Sequence, residues 1–283
     1  MGKFDGMLLV SDFDNTLLYT DKALKEGTDC PRMSQRNVDR IRHWMEEGGK
    51  FAVATGRAMN AYRPYDAMVP TNAPAVVDNG AAIYDYEKQE YLVSSTLSGQ
   101  VLEHVGAVVE RWPTVALELY QKGELLQVLT PTPWNVQHAK LTGLRYQEIT
   151  DVRPETVPMP LAKVLFVAEK AVLEAIRDFA AEAGWADQYE LIFSSDHLLE
   201  MTARGANKGR MVLRLKEMLG CHTLICAGDH MNDMPMLQIA DRAFCPANSV
   251  PEVLESGCEV VCHALEGAVG EIIERLEEIF SSL

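Results

Sequence analysis

"MLLVSDFDNTLLYTD", residues 7–21, decides how the chain is read. The apolar run Met7–Val10 passes through Ser11 into Asp12 and Asp14. A short apolar run of this kind reads as a buried strand, here with two carboxylates at its mouth. Like charges this close raise each other's pKa unless a cation or a proton sits between them. The rest of the chain has to supply one or the other.

Outward from this strand the pattern alternates. "SQRNVDRIRHWMEEGG" predicts a helix capped by Ser34, with Val38, Ile41 and Met45 on one face and glycines at its end. "KFAVATGR" and "APAVVDNGA" read as further strands. Strand, helix and strand at this spacing predict a parallel, doubly wound, Rossmann-like α/β sheet. The style returns late, with an amphipathic helix in "NKGRMVLRLKEMLG", a strand in "CHTLICAGD", short strands in "RAFCPAN" and "CEVVCHA", and a closing helix. Between them the hairpin-like stretches "AAIYDYEKQEYLVSS" and "VALELYQKGELLQVLT" predict an inserted α+β domain over residues 81–197. The core is then 1–80 together with 198–283.

Composition narrows the function. A chain of 283 residues with 47% hydrophobic and 24% charged residues is an ordinary globular sequence. The formal net charge of −15 argues against a nucleic-acid binder and against an anionic membrane surface. It leaves room for a small phosphorylated ligand in a locally positive pocket. No apolar run reaches the ~20 residues of a membrane span, and the start lacks a signal-type stretch, so a cytoplasmic protein is expected. Six cysteines without a CxxC pair fit reduced thiols.

Ligands of open parallel sheets bind at the carboxyl ends of the strands. Asp12 and Asp14 follow the first strand. Thr55, Gly56 and Arg57 follow "FAVA", and Asp229, His230, Met231, Asn232 and Asp233 follow "LICAG". Together they describe an oxygen-donor site of the kind Mg²⁺ prefers. Lys208 opens a predicted helix, where a cation opposes the helix dipole unless an anion sits beside it. An EF-hand is excluded by Leu17 and Ala23 at its sixth and twelfth positions, and a P-loop by Phe51 after Lys50.

The ordered set "DFDNTLL", "ATGR", "ANKG" and "GDHMNDMPML" resembles the haloacid dehalogenase (HAD) superfamily of aspartate-nucleophile phosphohydrolases. The long insertion and "DNGAAI" resemble its Cof-like, sucrose-phosphatase-like branch, which carries a large α/β cap. The resemblance implies an Mg²⁺-dependent phosphatase acting on a small phosphorylated metabolite, a sugar phosphate first among candidates. It implies Asp12 as nucleophile and Asp14 as general acid and then base. Asp12, Asp229, Asp233 and the Asp14 carbonyl would hold Mg²⁺. Thr55 and Lys208 would contact the phosphate, and Asn232 the phosphate or the metal loop. Gly56, Arg57 and Asn79 are expected near the substrate, Arg57 either orienting it or pairing with a surface carboxylate. On this reading Asp12 stays ionised while Asp14 can hold a proton. Two departures from the family pattern are Asn15 and His230, where glycine is usual. A phosphomutase and a non-catalytic phosphometabolite binder of the same fold stand as alternatives, and the choice between monomer and dimer is open.

Overall fold

The computed structural model describes residues 2–21, 23, 32–121 and 126–281; Cys30 lies outside them. Its strands, in chain order, are β1 (Met7–Ser11), β2 (Lys50–Val53), β3 (Ala75–Val77), β4 (Ala82–Asp85), β5 (Glu90–Ser94), β6 (Ala116–Gln121), β7 (Leu126–Leu129), β8 (Tyr146–Ile149), β9 (Leu161–Val167), β10 (Tyr189–Ser195), β11 (Leu198–Ala203), β12 (Thr223–Ala227), β13 (Arg242–Pro246) and β14 (Glu259–Val261). They form a parallel five-stranded sheet in the order β14-β13-β12-β1-β2, a six-stranded sheet in the order β10-β11-β9-β6-β7-β8, and a three-stranded sheet β3-β4-β5.

All of β1 is buried because the parallel sheet is covered on both faces. Leu9, Phe51, Val53 and Ile225 pack with Ile41 and Trp44 on one side. Leu8, Val10, Ala52 and Cys226 pack with Met211, Val212 and Leu215 on the other. The helix Gln35–Glu46 is capped by Ser34, whose hydroxyl accepts from the Asn37 amide. It turns Asn37, Ile41 and Trp44 inward, a face shifted from the expected Val38–Ile41–Met45 stripe. Among the described residues no helix is long and apolar enough to cross a membrane.

The sheets divide the chain differently from the expected insertion of 81–197. Strands β4 and β5 pair back onto β3, and β11 pairs with β9 and β10. Local hairpin pairing looks alike in either body, so the sequence pattern does not say which sheet a hairpin joins.

The six-stranded sheet has two unlike faces. One packs Leu117, Leu119, Val164 and Phe166 against the helices Val101–Arg111 and Lys170–Glu182. The other carries Ala116, Tyr120, Leu165 and Val167, with Glu118 and Lys163 at alternate positions of the same strands and Glu200 across from Leu165 on β11. This second face looks across a cavity at the carboxyl ends of β1, β2 and β12.

Candidate active site

Three adjacent parallel strands deliver the site. Register pairs Ser11 with both Ala227 and Val53, so β1, β12 and β2 end level. Asp12 leaves β1 with its amide donating to the Ala227 carbonyl at 2.8 Å. Asp229 follows β12 after Gly228, where a Cβ would come 2.4 Å from Asp233 Cβ; only glycine permits that approach. Thr55 follows β2, its amide donating to the Val76 carbonyl at 2.9 Å.

Asp12, Asp229 and Asp233 each place a carboxylate oxygen within 4.8 Å of the others, and all three are buried. Lys208 stands among them with no exposed surface, at the start of the helix Lys208–Leu219. Its Nζ donates to Asp12 Oδ1 at 2.5 Å and to Asp233 Oδ1 at 2.6 Å. Two of the protein's own carboxylates thus stand beside this helix-opening lysine. Asp233 Oδ2 accepts from the amides of Asp229 and His230 at 2.9 and 3.1 Å. Thr16 Oγ1 donates to Asp229 Oδ1 at 3.0 Å.

Three buried carboxylates stand around one ammonium, and the imbalance is visible in the proton affinity of Asp12 and Asp229. Burial, then the charge of Asp233, pushes Asp12 up to about 7 against the pull of Lys208. Burial, then Asp12 and Asp233, raises Asp229 well above the usual carboxylate range. A divalent cation is the partner this oxygen set fits, with hard donors and excess negative charge. Asp12, Asp229 and Asp233 are the groups that could hold it.

Asp14 lies in a different environment. Arg57 forks onto it, Nε to Oδ2 at 2.8 Å and Nη2 to Oδ1 at 2.7 Å, and Thr20 Oγ1 adds a third donor at 2.9 Å. The guanidinium itself is gripped between the Phe13 and Tyr65 rings, 5.0 and 4.7 Å from their centroids. Burial pushes the Asp14 carboxyl up, but Arg57 and Thr20 outweigh it and hold the pKa below its ordinary value. With no metal beside them Asp14 is the more acidic of the two, whereas the expected division has Asp12 kept ionised by Mg²⁺ and Lys208 together. The cause is the Arg57 fork.

Of the residues singled out by sequence, Asp12, Asp14, Gly56, Arg57, Asp229 and Asn232 line a cavity of about 690 Å³. Thr55, Asn79, Lys208 and Asp233 are buried and do not line it. Thr55 Oγ1 accepts from the Arg57 amide at 3.1 Å, and Asn232 Nδ2 donates to Asn79 Oδ1 at 3.2 Å. Asn15 takes the left-handed φ of 58° that its departure from glycine requires, and its Oδ1 accepts from the amides of Thr20 and Asp21. His230 lines the cavity as well, its imidazole pKa lowered chiefly by burial. Sequence reasoning passed over Thr16 and Asn248. The second lies beyond the end of β13, a position the strand-end rule covers, and donates to the Asn15 carbonyl at 2.8 Å. On the far wall stand Glu118, Trp134, His138, Lys163, His197 and Glu200.

Comparison with known proteins places this geometry. The family model for haloacid dehalogenase-like hydrolases matches residues 9–273. A protein of Cronobacter sakazakii named HMP-PP phosphatase is 30% identical over 255 residues, 86% of this chain and 85% of its own. A haloacid dehalogenase-like hydrolase from Bacteroides thetaiotaomicron superposes with a TM-score of 0.77 at 22% identity, over 96% of this chain and 99% of that one. A sugar phosphatase of HAD subclass IIB superposes with a TM-score of 0.79 at 14% identity, over 95% of this chain and 98% of its own. The two structures speak to the fold alone.

Proposed function

Because this chain belongs to the haloacid dehalogenase-like hydrolases, and is a phosphatase of that family, we propose that it hydrolyses a small phosphorylated metabolite through a phosphoryl group carried on Asp12. The observation that carries the reading is Asp12 itself. It lines the cavity while Lys208, wholly buried, holds one of its oxygens at 2.5 Å.

In the first step an Asp12 carboxylate oxygen attacks phosphorus in line, the bond to the leaving oxygen breaks, and Asp14 gives that oxygen its proton. In the second, Asp14 takes a proton from water, whose oxygen attacks the same phosphorus and returns Asp12 to its carboxylate. The fork from Arg57 holds Asp14 in the form the second step needs. The first step needs the protonated form, which Arg57 opposes. Lys208 holds Asp12 in place, and Thr55 and Asn232 anchor the loops that face the phosphoryl group. A Mg²⁺ held by Asp12, Asp229, Asp233 and the Asp14 carbonyl would offset the charge of the carboxylates and the phosphoryl group.

The sheet carrying β6, β9 and β11 serves as the cap that chooses the leaving group and excludes bulk water. The name of the Cronobacter relative suggests HMP-PP, and the resemblance read in the sequence suggests sugar phosphates, as the first substrates to try. The test is phosphate release from a panel of phosphorylated metabolites, with Mg²⁺ or EDTA, by the native protein and by Asp12→Asn. Release that needs both Mg²⁺ and Asp12, without an added sugar acceptor, supports a phosphatase over a mutase. No release from any compound by a folded, Mg²⁺-binding protein overturns the reading.

A further inference from the structure

Resting on the phosphatase reading, we propose that Lys163, on the cap sheet, is a positioning residue that fixes the loop Thr55–Gly56–Arg57 through the Gly56 carbonyl. Lys163 sits inside β9, a strand of seven residues that is otherwise apolar and is buried throughout. It is only 3% exposed, a rare state for a lysine unless its charge is matched.

An ammonium has three N–H bonds to give. Here three partners meet Lys163 Nζ: the Gly56 carbonyl at 2.7 Å, Glu200 Oε2 at 2.9 Å, and the face of Tyr120 at 4.7 Å from its centroid. The neighbouring strands fix this arrangement. Tyr120 and Thr202 lie directly across from Lys163, and Glu200 lies two residues along β11. Lys163 lines the cavity, but its donors are already committed, so it is not equipped to bind the phosphate.

A buried ion pair roughly breaks even with apolar packing, so stability does not account for this one. What Lys163 supplies is a directed donor from the cap to one backbone carbonyl of the core. That carbonyl belongs to the residue between Thr55 and Arg57. Thr55 Oγ1 accepts from the Arg57 amide at 3.1 Å, and Arg57 forks onto Asp14. A shift at Gly56 therefore moves a buried hydroxyl and a guanidinium together. Cap and loop are close here, since a Cβ on Gly56 would come 3.3 Å from Glu200 Oε1.

The test is the double variant Lys163→Met with Glu200→Met, which leaves neither partner of the pair as a lone charge. kcat and KM are measured on p-nitrophenyl phosphate and on glucose 6-phosphate, together with amide hydrogen exchange across residues 54–58. Displacing a catalytic group by about 1 Å costs on the order of 100-fold. The expected result is a fall in kcat of about 10- to 100-fold, by the same factor on both esters, with KM little changed and faster exchange at Arg57. Gly56→Ala, which crowds the loop against Glu200, is expected to give the same signature. Unchanged kcat with a lower melting temperature would reduce the pair to packing, and unequal factors on the two esters would make it a leaving-group contact; either overturns the proposal. If the native protein releases phosphate from neither ester nor any other, the phosphatase reading fails. Exchange still decides the positioning claim, which unchanged protection at Arg57 would refute.

Discussion

Replacing Lys208 by methionine keeps most of the volume of a side chain that has no exposed surface and removes its charge. Asp12 and Asp233 lose donors at 2.5 and 2.6 Å, and the three clustered carboxylates keep no ammonium among them. Breaking a buried ion pair from one side costs about 3–5 kcal/mol. At roughly 2–4 °C per kcal/mol for a large domain, the melting temperature in EDTA at about pH 8 falls by roughly 6–20 °C. The loss shrinks at lower pH, because Asp12, pushed up to about 7, takes a proton and no longer needs a counter-ion. Saturating Mg²⁺ recovers more stability in the variant than it adds to the native protein, since a ligand at 100 times its Kd contributes about 2.7 kcal/mol and the variant has the greater excess of negative charge. The assay is scanning calorimetry of both proteins with EDTA and with Mg²⁺. A melting temperature unchanged in EDTA, or a loss that Mg²⁺ leaves in place, would refute the charge balance drawn for this cluster.

Thr16→Val removes the hydroxyl that orients Asp229, and Mg²⁺ affinity measured by calorimetry should weaken by about 10-fold while the fold persists. Arg57→Ala takes away the group that holds the Asp14 pKa down, so the apparent pKa assigned to Asp14 in the pH–rate profile should rise; a profile that keeps its limbs would contradict the fork's role. Because Asp12 is raised to about 7 without metal, Mg²⁺ binding should release more protons at about pH 6 than at about pH 8, seen as a buffer-dependent heat. Its raised pKa also means that the metal-free protein loses stability as pH climbs from the ordinary carboxylate value toward 7, where the unfolded chain ionises Asp12 and the folded one keeps its proton, and that Mg²⁺ reverses this loss.

The parallel sheet was legible because its strands are short apolar runs that end in chemistry. Asp12, Asp14, Thr55, Gly56, Arg57, Asp229, Asn232 and Asp233 all stand just past the carboxyl ends of β1, β2 and β12, and that position marks them in the bare sequence. The burial of Lys208 was harder to see. A lysine at a helix start looks solvated until two carboxylates from other strands arrive beside it. Likewise nothing in the sequence says that Glu274 of the last helix meets Arg36 and Arg40 of the helix Gln35–Glu46, at 3.2 and 3.0 Å. Lys163 and Glu200 gave no signal either, because nothing in "LAKVLFV" or "LLEMTA" says that the two strands pair, or that the face they share looks onto Gly56.

The central claim is that the phosphoryl group passes through Asp12. The direct measurement is a single turnover with Mg²⁺ and the best substrate of the panel, quenched in acid, reduced with borohydride and mapped by peptide mass spectrometry. The account predicts that Asp12, and no other carboxylate, is converted to homoserine, and that the product vanishes without substrate. Turnover at full rate with Asp12 never modified would contradict it.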